Sequence, residues 1–171
     1  MFDFSEYELG KSTQGAFKID KREENAEAAL ELVKQSQRKL AIISHDLDPH
    51  VYNQDDFLEA VKKLALKNRH AEIRILVFEP EKIVQKGHKL LDLSRKISSF
   101  IEIRKPSKDY KKFNEAVLIA DEVGYLYREN VERYKAKVNF NSRRESKYLL
   151  EVFDEMWETA QSDPNLRRMH I

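Results

Sequence analysis

Two imidazoles and two carboxylates fall within the six residues His45-Asp46-Leu47-Asp48-Pro49-His50. Zinc or manganese takes such ligands, and a histidine beside an aspartate is also the material of a hydrolase or nuclease site. The spacing argues against a metal. Adjacent side chains tend to point different ways, and no distant His/Asp motif completes the set. Pro49 stiffens the segment and directs it into a turn. Asp48 is a natural turn residue and helix cap. The segment therefore reads as a loop that assigns no metal, with His45 and Asp46 left as candidate ligand-binding residues.

Two arginines are the other candidates. Arg104 and Arg128 could each grip phosphate or carboxylate in bidentate fashion. The competing reading pairs them internally with Asp46, Asp48 or Glu129. His88 follows Gly87 inside a helical pattern, where glycine costs roughly 0.5–1 kcal/mol relative to alanine. Close packing or ligand approach would compensate, so His88 joins the candidates. The stretch Arg104 to Lys112 adds Lys105, Lys108, Lys111 and Lys112, with Tyr110 and Phe113 nearby, and residues 141–147 add Arg143, Arg144 and Lys147. Cations beside aromatics suit single-stranded nucleic acid. In a chain that is 36% charged, solvated loop charge is the plainer reading.

The elements that must position these residues follow from periodicity. At 171 residues the chain is sized for one domain. The 31 basic and 30 acidic side chains leave a net charge of +1, which gives no global pull toward nucleic acid or anionic membrane. Cysteine is absent, which excludes disulfides and thiolate metal sites. No apolar run approaches the ~20 residues of a membrane span, and the start lacks a signal-peptide pattern. A cytoplasmic protein is expected. Residues 1–21 read as an N-terminal arm, with Phe2, Phe4 and Tyr7 docked on the body, and 22–171 as the domain. Asp20 and Glu23 predict a capped first helix running to about Gln37. Strands are predicted at 40–44, 72–78 and 100–104, separated by a helix capped by Asn53 or Asp56 and a third helix opened by Pro80 that carries Ile83 to Ile97. A last helix spans about Arg144 to Ala160. Its stripe of Tyr148, Leu149, Val152, Phe153, Met156 and Trp157 reads as core rather than a cofactor box, and no cofactor is expected. At the C-terminus, Leu166 and Met169 are expected to dock. Strands alternating with helices imply an α/β fold, with a mixed, mostly parallel sheet flanked by helices on both faces.

Asn114 to Glu129, NEAVLIADEVGYLYRE, is an apolar strand ending at Asp121, a short turn and a second strand. It resembles the phospholipase D superfamily motif His-x-Lys-x4-Asp-x6-Gly-Ser, without a gap. Asp121 falls on the motif aspartate. Asn114 stands at the histidine, Ala116 at the lysine, and Arg128-Glu129 at the Gly-Ser. The resemblance extends over about residues 22–160. More narrowly, LDPHVY, HKLLDLSRKISSFIEIRK, the Asp121–Arg128 hairpin and FDEMW followed by DPNLRRMHI resemble an uncharacterised family of bacterial phospholipase D-like domains. Members of that family are sometimes attached to an acetyltransferase domain.

In the superfamily the histidine attacks phosphorus, the lysine stabilises the transferred phosphoryl group, and two motifs meet at one site, from two repeats or a dimer. An amide nitrogen lacks the basic lone pair such attack needs, and a methyl group carries no charge for the phosphoryl oxygens. The resemblance therefore implies a single phospholipase D-like domain with a degenerate site and no assigned catalytic residue: a non-catalytic binding or interaction module for a phosphate-bearing or other anionic ligand. Ligands of open α/β sheets bind beyond the carboxyl ends of the strands, where His45, Asp46, His88, Arg104, Asn114 and Arg128 are expected. Implied partners are a second copy of the chain and, by family resemblance, an acetyltransferase. The alternatives are a divergent hydrolase or nuclease built on His45 and Asp46, and a nucleic-acid-binding protein.

Overall fold

The computed structural model describes residues 3–67 and 69–167. The chain runs through β1 (Phe17–Ile19), α1 (Arg22–Gln35), β2 (Lys39–Ser44), α2 (Pro49–Tyr52), α3 (Asp55–Lys67), β3 (Glu72–Val77), α4 (Pro80–Lys86), α5 (Lys89–Lys96) and β4 (Ile101–Arg104). It continues with β5 (Ala116–Ala120), β6 (Gly124–Arg128), β7 (Ala136–Asn139), α6 (Arg143–Thr159) and α7 (Pro164–Arg167). The expected Phe2 and Met169 contacts lie outside the described residues. Among the described residues, no helix is long and apolar enough to cross a membrane.

The sheet has seven strands in the order β1-β7-β6-β5-β2-β3-β4. The β2–β3 and β3–β4 pairings are parallel, and the other four are antiparallel. The sheet is mixed, as expected, but not mostly parallel. Each parallel step needs a crossover helix. From β5 onward the chain turns back through short connections, which force antiparallel neighbours.

Register explains the layers. Phe17, Val138, Leu126, Leu118, Ile42, Ile75 and Ile103 lie side by side in one row across all seven strands. Directly opposed residues share a face, so this row is a continuous apolar floor. It packs in one core with buried residues of α1, α2, α3 and α5, among them Leu32, Val51, Phe57 and Leu90. The neighbouring row on the other face reads Lys18, Lys137, Tyr127, Val117, Ile43, Leu76 and Arg104. Its apolar centre is covered by α6, through Phe153 and Met156. Its ends are polar.

Four local expectations change. The third helix is two, because Gly87 has φ +77° and breaks it before His88 caps α5. The carboxylate that closes the start of α1 belongs to Glu24, accepting from the backbone N–H of Lys21 at 3.1 Å, one residue beyond Glu23. The arm supplies β1, which pairs with β7; Phe4 is buried, and Tyr7 stacks on Phe17 and Phe140. Tyr148, expected in the core stripe, is 66% exposed.

Candidate functional site

The carboxyl ends of β2, β3, β4 and β6 and the start of β5 meet at one edge of the sheet, which is where open α/β sheets bind ligands. Ala116 is buried there and lies directly opposite Arg128, so both face the α1 side. Arg128 is closed in on every side. Nε donates to the Arg133 carbonyl at 2.9 Å and Nη2 to the Val131 carbonyl at 2.7 Å. Nη1 lies 3.7 Å from the Asp48 carboxylate, and the guanidinium sits 4.8 Å from the Tyr134 ring centre. Tyr134 in turn donates its hydroxyl to Asp48 at 2.7 Å; burial, with help from that carboxylate, pushes its phenol up to about 12. Asp48 also caps α2 by accepting from His50 N–H at 3.0 Å.

Asn114 is exposed and donates its amide to Asn130 at 3.3 Å. Arg104 faces the other side of the sheet, bonded to Glu102 and to the Trp157 carbonyl at 3.2 Å, with its guanidinium 4.2 Å from the Trp157 ring centre. Four strand spacings separate β4 from β6, about 19 Å. Arg104 and Arg128 therefore do not converge on one anion, contrary to the grouping expected from strand ends alone.

The histidines are also engaged. His45 Nε2 lies 3.0 Å from the Phe113 carbonyl. A carbonyl only accepts, so this nitrogen carries the proton. Its ring stacks on Phe78, which stacks on Phe113. His88 is buried; Nε2 lies 2.9 Å from the Leu47 carbonyl and Nδ1 accepts from Leu90 N–H at 3.1 Å. This arrangement fits only the neutral ring, and burial holds its pKa below the ordinary histidine value. Asp46 is half-buried nearby, and its charge is felt by His88 and Lys82. His45 and Arg104 thus belong to the α6 side of the mouth, and His88 and Arg128 to the other. Among the described residues, no three His, Cys, Asp or Glu side chains come together as a metal site.

Asp121 lies at the opposite end of the sheet. Its carboxylate accepts from the backbone N–H groups of Gln37, Arg38 and Lys39 at 2.6, 2.9 and 2.8 Å. It ties the start of β2 to the β5–β6 turn, in a left-handed conformation (φ +50°) that aspartate tolerates better than most residues.

Two hollows on the α6 side were not anticipated. One, of about 530 Å³, is lined by Lys18, Arg133, Lys135 and Lys137, with Tyr127 and the single carboxylate Glu129. Among the described residues, Lys18, Arg133 and Lys135 have no ion-pair partner; Lys137 pairs with Glu145 at 3.1 Å. The signal was available: the alternation that puts Ala136 and Val138 inward puts Lys135 and Lys137 on the opposite face. The second hollow, of about 510 Å³, lies between α6 and the strands β5 to β7.

A family described as a Domain of unknown function (DUF7931) matches residues 21–169. The chain belongs to this family. No curated protein matches it. Among solved structures it is similar to Nuc from Salmonella typhimurium, described as a phospholipase D family member, at 16% identity and TM-score 0.57 over 79% of this chain and 88% of that one. NucT from Helicobacter pylori aligns at 10% identity and TM-score 0.60, over 86% of this chain and 98% of that one. TrmBL2, described as an archaeal chromatin protein, aligns at 17% identity and TM-score 0.64, over 88% of this chain. The match spans about half (54%) of the TrmBL2 chain. These likenesses establish the phospholipase D-like α/β fold for this member of the family.

Proposed function

We propose that the protein is a non-catalytic phospholipase D-like binding module that holds a phosphate-bearing ligand on the open half of its sheet. The observation that carries this reading is the cationic hollow over β1, β7 and β6. Among the described residues, three cations without an ion-pair partner, together with Lys137, face a single carboxylate there, and such a concentration of one sign attracts anions. The non-catalytic part rests on the motif positions. Asn114 supplies no nucleophile, Ala116 supplies no cation, and Arg128 occupies the space opposite Ala116 while bonded to protein groups. The anion reading thus moves from Arg104 and Arg128 to Lys18, Arg133 and Lys135.

The test pairs an assay with a titration. Bis(p-nitrophenyl) phosphate is expected to show no turnover. Inorganic pyrophosphate is expected to bind, and R133E/K135E to weaken that binding by about tenfold or more. Turnover lost on substituting His45 or Asn114 would overturn the non-catalytic reading. Pyrophosphate binding unchanged by the double reversal would overturn the anion site.

One observation favours nucleic acid as the phosphate-bearing partner. The similar structure of TrmBL2 is described as showing a mode of DNA binding, and Tyr127 lies among the cations, where a base could stack. The basic stretch Arg104 to Lys112 and the segment 141–147 support this less well, since they flank opposite ends of α6, whose 17 residues span about 25 Å. A single-stranded oligonucleotide should then bind with a steep salt dependence, and R133E/K135E should reduce that slope.

A further inference from the structure

The hollow between α6 and β5 to β7 has a different character from the cationic one. Its floor is Val117, Tyr125 and Tyr127, and its α6 wall combines Tyr148, Leu149 and Val152 with the charged Arg144 and Glu145. Phe113 adds a further ring to the lining. Its size, about 510 Å³, suits a small organic molecule rather than a bare ion.

Two carboxylates, Glu115 and Glu145, and two cations, Lys137 and Arg144, line this aromatic space. Lys137 and Arg144 both act on Glu145, and the two carboxylates differ. Glu145 pairs with Lys137 at 3.1 Å and accepts the Tyr125 hydroxyl. The Tyr125 bond first, and then Lys137, hold its pKa below the ordinary carboxylate value. Glu115 is half-buried and accepts the Tyr127 hydroxyl, but among the described residues it has no cation partner. A carboxylate withdrawn from water without a counter-charge is costly. Tyr148, at 66% exposure, presents a ring on the same hollow that the fold itself leaves uncovered. Ring faces attract cations, best when desolvated, and methylated ammonium groups combine such a charge with an apolar surface.

We infer that this hollow binds an organic cation, a methylated ammonium compound, with its charge on Glu115 and its methyl surface against Tyr127 and Tyr148. The site goes beyond the phosphate reading and depends on a different charged group. Calorimetric titration with choline and with 3,3-dimethylbutan-1-ol, which has the same shape without the charge, separates charge recognition from apolar filling. Choline is expected to saturate the protein, and the alcohol to bind at least about tenfold more weakly. E115Q keeps an acceptor for Tyr127; it should lower choline affinity by about tenfold and leave the alcohol unaffected. Y148A, at an exposed position, should weaken both. Equal binding of the two probes, absence of saturable choline binding, or choline affinity unchanged in E115Q would each overturn the inference. Pyrophosphate binding by E115Q is expected to stay at the level of the parent protein, so failure here is distinguishable from failure of the phosphate site.

Discussion

Arg128 joins the end of β6 to the loop that follows it, surrounded by two carbonyls, the Asp48 carboxylate and the Tyr134 ring. Replacing it with methionine would keep much of the volume and strand three acceptors. The expected loss is about 2–4 kcal/mol, below the figure for a fully buried pair because Asp48 keeps its bond to Tyr134. Urea denaturation measures it; a loss below about 0.5 kcal/mol would mean that water replaces the guanidinium and that Arg128 is available to a ligand after all. His88 gives a pH-dependent prediction. Its folded pKa is depressed, so below the ordinary histidine value the unfolded chain takes up a proton that the folded chain refuses. The stabilisation from neutral His88 is complete above about pH 7 and falls as pH drops through 6.5 toward the folded pKa. Urea midpoints of the parent protein and H88Q, compared from pH 7 down to pH 5, should converge; parallel curves would remove His88 as the cause. Sequence marked both residues as chemically able. It could not show that a carbonyl and an N–H fill both ring nitrogens of His88, because the fold decides which backbone groups reach the ring.

At the scale of elements, Gly87 decides between two readings by sign. Inside a continuous helix, Gly87→Ala would stabilise by roughly 0.5–1 kcal/mol. In the structure Gly87 ends α4 at φ +77°, and beyond its two chain neighbours no residue comes within 4 Å of the place an alanine methyl would take, so only the backbone matters. Alanine is expected to destabilise by about 1 kcal/mol, read as a lower urea midpoint. The apolar periodicity around it, Ile83 to Ile97, continues across the break because α4 and α5 both turn buried residues toward the core, which is why pattern alone joined them. The long strands were legible for the same kind of reason. Runs such as Leu40–Ser44 and Ile73–Val77 are buried almost without interruption, and an apolar run of strand length announces itself. β1 is three residues with one buried side chain, Ile19. Its identity comes from pairing with β7, and no window that short carries a period.

At the scale of the whole molecule, the net charge of +1 conceals segregation. Lys18, Arg133 and Lys135 gather only when β1 and β7 become neighbours, so the cationic hollow depends on the arm. The family match begins at residue 21, which leaves β1 outside it. Yet the arm is bound by more than one strand. Gln35 accepts from Leu9 N–H at 2.7 Å and donates to the Tyr7 carbonyl at 2.6 Å, and Gly10 N–H donates to the Phe140 carbonyl at 2.7 Å. Phe4 is 3% exposed, and Phe4→Ala alone is expected to cost about 3 kcal/mol. A chain beginning at Arg22 loses all of these contacts and exposes the β7 edge. Its melting temperature should fall by roughly 10 °C, and the bare edge should favour association of copies in size-exclusion chromatography. Pyrophosphate affinity should fall with the loss of Lys18. A truncated chain that melts at the parent temperature and elutes in the same oligomeric state as the parent would make the arm an attachment to a self-sufficient domain beginning at residue 22; the expected drop instead makes β1 part of the folding unit and of the anion surface it completes.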